Sequence, residues 1–306
     1  MPVEQHTHTL TGSFLDRIPG AMEHAFQDTW LTLPILLALY MALEWYQHRF
    51  GERQIQRVLR KSAWAPAFGA VLGLLPQCGI SVFATSLFVL QRITPGTLIA
   101  TYLATSDEAI PVLAGHGGAA WYIFPLMGGK LLLATLAGFI VDHSPLRRFL
   151  ETIQEREKPL LPIIPDKLDH FHDPFPGMKV IFRHALKHTI NIFAWVFGVS
   201  VALVLALSYI DRPSLFSAMT SAPFIEILAV GIFGLIPNCA ASVTIAQAFA
   251  YGGISAGAAF AGLSAGAGFG PIILLRENRI TSSFKILVVT LGFALAAGWA
   301  IQIAVQ

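Results

Sequence analysis

Charge is scarce in this chain of 306 residues, where Asp, Glu, Lys and Arg together make up 12%. Soluble domains carry about 25%. Cysteine is scarcer still, with 2 residues, which excludes a disulfide framework. The net charge of +2 is too small to recruit nucleic acid. The first 27 residues hold no apolar run, so no cleavable signal peptide is expected. No phosphate-binding loop follows a strand, which argues against direct ATP coupling within the chain, and no cofactor motif is present. What is abundant is apolar surface: 55% of residues are hydrophobic and mean hydropathy is +0.63. A soluble enzyme and a disordered chain are both excluded, leaving an all-α polytopic membrane protein.

Four apolar stretches, 29–47, 120–141, 189–209 and 283–305, have roughly the 20 residues that cross a bilayer. Two others are broken by proline: 64–91 at Leu75-Pro76-Gln77-Cys78-Gly79, and 222–251 at Ile236-Pro237-Asn238-Cys239. Their arms, of about 13 residues, reach roughly 20 Å, which favours re-entrant hairpins over short complete helices. Stretches 95–114 and 255–275 are also apolar, each with polar or glycine-rich residues inside, and counting every arm gives ten segments.

Seventeen of the 20 Lys and Arg residues fall on one side of this layout, including Arg49–Lys61, the central loop, and Arg276, Arg279 and Lys285. Arg17 and Arg212 fall on the other side, and Lys130 inside a span. The basic side is predicted to be cytoplasmic, with both termini outside the cell's inner (plasma) membrane.

The chain also contains itself twice. Gly73-Leu-Leu-Pro-Gln-Cys-Gly-Ile-Ser-Val82 matches Gly234-Leu-Ile-Pro-Asn-Cys-Ala-Ala-Ser-Val243 at six of ten positions, at an offset of 161. The likeness runs on through Phe88/Phe249, Ile93/Ile254 and Gly96/Gly257. The first half enters its first span from outside and the second from the cytoplasm, so the repeats are expected to be inverted. Paired, Pro/Gly-interrupted segments in inverted repeats point to a secondary transporter with its site near the midplane. The organisation expected is an external segment 1–27, a first membrane repeat 28–141, a cytoplasmic linker 142–185 and a second membrane repeat 186–306.

Substrate-binding candidates cluster at the breaks. Gln77 and Asn238 offer amide donors and acceptors, Ser81 and Ser242 lie one turn into the returning arms, and Cys78 and Cys239 offer thiolates to a soft metal or metalloid. The alternative for both cysteines is small-residue packing. Ser106, Asp107 and Glu108 lie inside an apolar stretch, where acids are costly and mark function by default. They suit a hard cation such as Mn(II), or a coupling proton. Lys130 is the other charge within a span, read as a moving counter-ion or as an ion-pair partner of those acids. His170 and His172, in Asp169-His170-Phe171-His172-Asp173, could hold a divalent ion, although a proline-rich solvated linker is the simpler reading. Glu226, near a span end, is expected to reach the interface.

Taken together, Gly73–Ser81, Thr105-Ser106-Asp107-Glu108-Ala109-Ile110-Pro111 and Gly234–Val243 resemble the ten-helix heavy-metal exporter family, described as arsenic-efflux proteins or manganese transporters. The resemblance covers roughly 28–305 and implies export of a metal ion or metalloid from the cytoplasm, manganese slightly ahead of arsenite. Proton or cation counter-transport and a homo-oligomer stay open. So do three other functions: a membrane-embedded cysteine enzyme, which lacks a neighbouring base, a channel for another small solute, and a metal sensor built on the central loop.

Overall fold

The computed structural model describes residues 64–75, 78–105, 109–115, 120–155, 223–277 and 280–305, with isolated helical positions within 19–41 and 182–201. The described residues are helical and contain no strand. The first half of the chain supplies α1 (Ala65–Gly73), α2 (Cys78–Val89), α3 (Pro95–Ala104), α4 (Ala109–Gly115) and α5 (Ile123–His143), followed by α6 (Leu146–Glu155) in the segment read as the linker. The second supplies α7 (Pro223–Gly234), α8 (Cys239–Ala250), α9 (Ala256–Ala265), α10 (Gly270–Glu277) and α11 (Ile280–Val305). Stretches 29–47 and 189–209 lie outside the described residues apart from scattered helical positions.

Helix boundaries recur at the sequence offset because their capping chemistry recurs. Thr94 caps α3 by accepting the Thr97 N–H at 3.1 Å, and Ser255 caps α9 by accepting the Ala258 N–H at 3.2 Å. At the far ends of α2 and α8 the same pair of carbonyls is closed. Gln91 and Arg92 N–H donate to Phe88 and Leu87, and Gly252 and Gly253 N–H donate to Phe249 and Ala248, all at 2.8–2.9 Å. Both motifs need a left-handed residue, supplied by Gln91 at φ 57° and Gly252 at φ 74°.

Packing repeats too. Helix α3 lies between α1 and α5, and α9 lies between α7 and α11. Glycine makes these crossings close: a β-carbon at Gly73 would stand 2.5 Å from the Thr101 carbonyl oxygen, and one at Gly234 2.1 Å from that of Gly262. Gly96 meets Gly138, and Gly257 meets Gly298, in the same way. Such small-residue crossings let backbones touch where lipid supplies no hydrophobic drive.

The two repeats then exchange parts. Helix α2 packs on α10 of the other repeat, and α8 packs on α4. Leu113 of α4 is buried in the second repeat's core, and its counterpart Leu274 of α10 in the first repeat's core.

Helix α5 and residues Ser283–Val305 of α11 are each long and apolar enough to cross a membrane. Helices α9 and α10 pass the same test together, bent by 45° at their break. Leu132, Leu136 and Ile140 form one exposed stripe along α5, and Phe284 and Val288 another along α11, as lipid-facing sides require. Helix α6 follows α5 directly. It buries Leu150, exposes Arg148 and Phe149, and sets Phe149 beneath the Lys285 ammonium at 4.3 Å.

Candidate functional site

The two central helices, α3 and α9, stop inside the protein. Helix α3 ends at its C-cap Thr105, and α4 begins at Ala109; both flanking residues are 2% exposed. Helix α9 ends at Gly266, and α10 begins at Gly270. Residue 268, glycine at φ 56°, takes the second break through the left-handed region. Each stop leaves backbone carbonyls that no further turn can satisfy.

Lys130 answers both. It projects from α5, is 1% exposed, and its ammonium donates to the Thr105 carbonyl at the end of α3. A second N–H donates, at 2.7 Å, to the Leu263 carbonyl in the last turn of α9. The cation thus joins the negative ends of two equivalent helices, one from each repeat. An apolar span tolerates an ammonium only with such partners. Its equivalent in α11, Thr290, is also buried but bonds only back to its own helix, through the Ile286 carbonyl at 2.9 Å. In the same turn as Leu263, the Ser264 hydroxyl is fully buried and has no hydrogen-bond partner among the described residues.

On the other side of the second break, α10 starts against α2. The Gly270 N–H donates to Ser81 Oγ at 3.2 Å. Thr85 Oγ1 donates to the Ser81 carbonyl at 2.7 Å and lies 2.5 Å from the Tyr102 hydroxyl. A β-carbon at Gly270 would stand 2.7 Å from the Tyr102 ring, so glycine is what lets α10 seat here. Ser81, Thr85 and Tyr102 are all fully buried.

Of the predicted site residues, Lys130, Ser81, Ser242 and Asn238 are buried. Ser81 holds an inter-repeat contact. Ser242 faces the end of α9: its hydroxyl lies 3.4 Å from where a β-carbon on Gly266 would be. Asn238 sits in the turn between α7 and α8, its carbonyl accepting the Ala241 N–H at 3.1 Å. Cys78 and Cys239 are the first residues of α2 and α8. Gln77, Ser106, Asp107, Glu108, His170 and His172 lie outside the described residues. Among the described residues no three His, Cys, Asp or Glu side chains come together.

Two residues differ from or add to the sequence reading. Glu226 does not reach the interface: it is 7% exposed and its carboxylate accepts the Ser255 N–H at 3.0 Å, tying α7 to the start of α9. Asp142 plays a corresponding part for α3, accepting the Thr94 hydroxyl at 2.6 Å and the Gly96 N–H at 3.0 Å. An acid in the last turn of α5, one residue beyond the predicted span 120–141 and 46 residues from the helix start it serves, carried no local signal of that pairing.

A repeated helical bundle with apolar outer faces and interrupted central helices defines the class: a polytopic helical membrane protein with charge held at broken helices. The sequence pattern of a family described as "Putative, 10TM heavy-metal exporter" matches residues 21–210, more than half of the chain, and the chain belongs to that family. The matched segment takes in α1 to α6 and stops before α7. No curated protein and no solved structure matches the chain. Family membership makes it a multi-pass membrane protein of a transporter family, with a metal substrate and the lipid bilayer as its partners.

Proposed function

We propose that the protein is a secondary-active exporter that carries a metal ion or metalloid out of the cytoplasm by alternating access between its two repeats. The observation that carries the reading is the meeting of two interrupted central helices, one from each repeat, at a single buried cation. Broken helices whose ends converge inside a membrane protein are where transporters bind substrates and coupling ions. Repeats 28–141 and 186–306, joined by the cytoplasmic linker 142–185, are then inverted halves that rock about the site.

Asp107 and Glu108 follow the Lys130-bonded Thr105 carbonyl by two and three residues and supply hard oxygen ligands. Cys78 and Cys239, with Gln77, Ser81, Asn238, Ser242 and Ser106, supply soft and neutral ones. Mixed oxygen and sulfur ligation favours a Mn(II)-like divalent cation, with an arsenite-like species next. A coupling proton or cation exchanges through Asp107 and Glu108. The protein sits in the inner membrane with both termini outside, following the distribution of Lys and Arg.

The test is elemental mass spectrometry of cells that express the chain or its Asp107→Asn variant, challenged separately with Mn(II) and arsenite. Manganese falling in the wild type and returning to the control level in the variant supports a carboxylate-dependent cation exporter. Arsenic falling instead moves the substrate to the cysteine-bearing breaks. No change in either element removes the export reading for both.

A further inference from the structure

Lys130 raises a question that metal export does not answer: why one repeat carries a buried ammonium where the other carries Thr290. Two of its acceptors, the Thr105 and Leu263 carbonyls, explain what the ammonium does here. In a continuous helix the Leu263 carbonyl would accept the N–H of residue 267, but α9 ends at Ala265. The Thr105 carbonyl is likewise freed where α3 ends. Two freed carbonyls from two helix C-termini, facing one point inside an apolar bundle, make the donor set that transporters use for a small monovalent cation. Here a covalently attached cation occupies it. The acceptors lie 25 and 133 residues from Lys130, so neither contact comes from local chain geometry.

We propose that Thr105 and Leu263 form a cation site shared by the two repeats, and that the Lys130 ammonium is its tethered occupant, standing where a free monovalent cation would otherwise be needed. Because the two carbonyls belong to different repeats, the ammonium latches α3 to α9. Movement of one repeat against the other requires the latch to leave at least one carbonyl. The inference rests on the transport reading for the meaning of that movement, but not for the existence of the site.

The test therefore includes a readout without transport. Full-length protein is purified as wild type, Lys130→Ala, Lys130→Gln and Lys130→Arg. Thermal unfolding is followed in rising ethylammonium chloride, with choline chloride as a cation lacking N–H donors. Lys130→Ala is expected to unfold at lower temperature than wild type, and ethylammonium to raise its Tm saturably by about 3 °C. Neither salt moves the wild type in this way. Lys130→Arg keeps the charge and donors and stays near wild type, whereas Lys130→Gln keeps donors alone and does not. In the efflux assay, Lys130→Ala loses at least ten-fold of the wild-type rate, and ethylammonium restores a part of it. Equal response to ethylammonium and choline overturns the site. Should Lys130→Ala fail to fold, a Lys130→Gln protein as stable as wild type overturns it as well. Wild-type cells that export neither metal overturn the transport reading and leave the unfolding result standing.

Discussion

The crossing of α3 and α5 gives the sharpest energetic prediction. Gly96 lies against Gly138 so closely that an alanine β-carbon at 96 would stand 2.3 Å from the Gly138 carbonyl oxygen and 2.5 Å from the Asp142 carboxyl. Neither neighbour is the loose end of a flexible chain: one is backbone, and the other is held by the Thr94 hydroxyl and the Gly96 N–H. Gly96→Ala must push the helices apart by roughly 1 Å, an overpacking that costs about 1–3 kcal/mol. It also loosens a charge-assisted cap worth about 1.5–3 kcal/mol. The helix-propensity gain of about 1 kcal/mol recovers only part of that. The expected net loss is about 3 kcal/mol, a fall in Tm of about 6 °C or more for a chain of this size. At the equivalent crossing a β-carbon on Gly257 meets the Gly298 carbonyl at 2.5 Å, but its other neighbour, the Gln302 side chain, stands off at 3.0 Å. Gly257→Ala should therefore lose about half as much. Gly128 and Gly292 have nothing within 4 Å, so alanine there should be neutral or slightly stabilising. The assay is thermal unfolding of the four purified variants in detergent. Gly96→Ala unfolding at the same temperature as Gly128→Ala would refute the reasoning.

Two further outcomes are expected in the same assay. Gln91 holds a left-handed conformation at φ 57° that glycine adopts freely, so Gln91→Gly should stabilise by about 1 kcal/mol, and Gly252→Ala at the equivalent position should destabilise by about as much; equal and opposite shifts in Tm are the check. Ser81→Ala strands the buried Gly270 N–H and should cost about 1–3 kcal/mol, whereas Thr290→Val removes only a bond within its own helix and should cost less.

The legible part of this fold was the part written locally. Pro76-Gln77-Cys78 and Pro237-Asn238-Cys239 announced breaks, and α2 and α8 begin at the two cysteines. Stretches 95–114 and 255–275 were each counted as one segment, whereas α3 and α9 stop within them at Thr105 and Gly266, at the polar and glycine-rich residues the sequence showed there. The offset of 161 was readable because glycine contacts and caps are residue-specific: Gly73 and Gly234 cannot be exchanged for alanine without a clash. What could not be read was long-range pairing. A lysine in an apolar span signals function, but nothing near residue 130 says that the Thr105 and Leu263 carbonyls are among its partners. Backbone acceptors carry no residue signature. Glu226 and Asp142 were obscure for the same reason, since each caps a helix start distant in sequence.

The most direct test of the account is tracer counterflow by the purified protein in liposomes. Vesicles preloaded with unlabelled Mn(II) are diluted into trace radioactive manganese, and uptake is followed for the wild type and Asp107→Asn. A carrier with alternating access predicts transient accumulation of tracer above equilibrium in the wild type, and a loss of at least ten-fold in the variant. Monotonic equilibration without overshoot, unaffected by Asp107→Asn, would contradict the account and assign the chain a channel-like pathway.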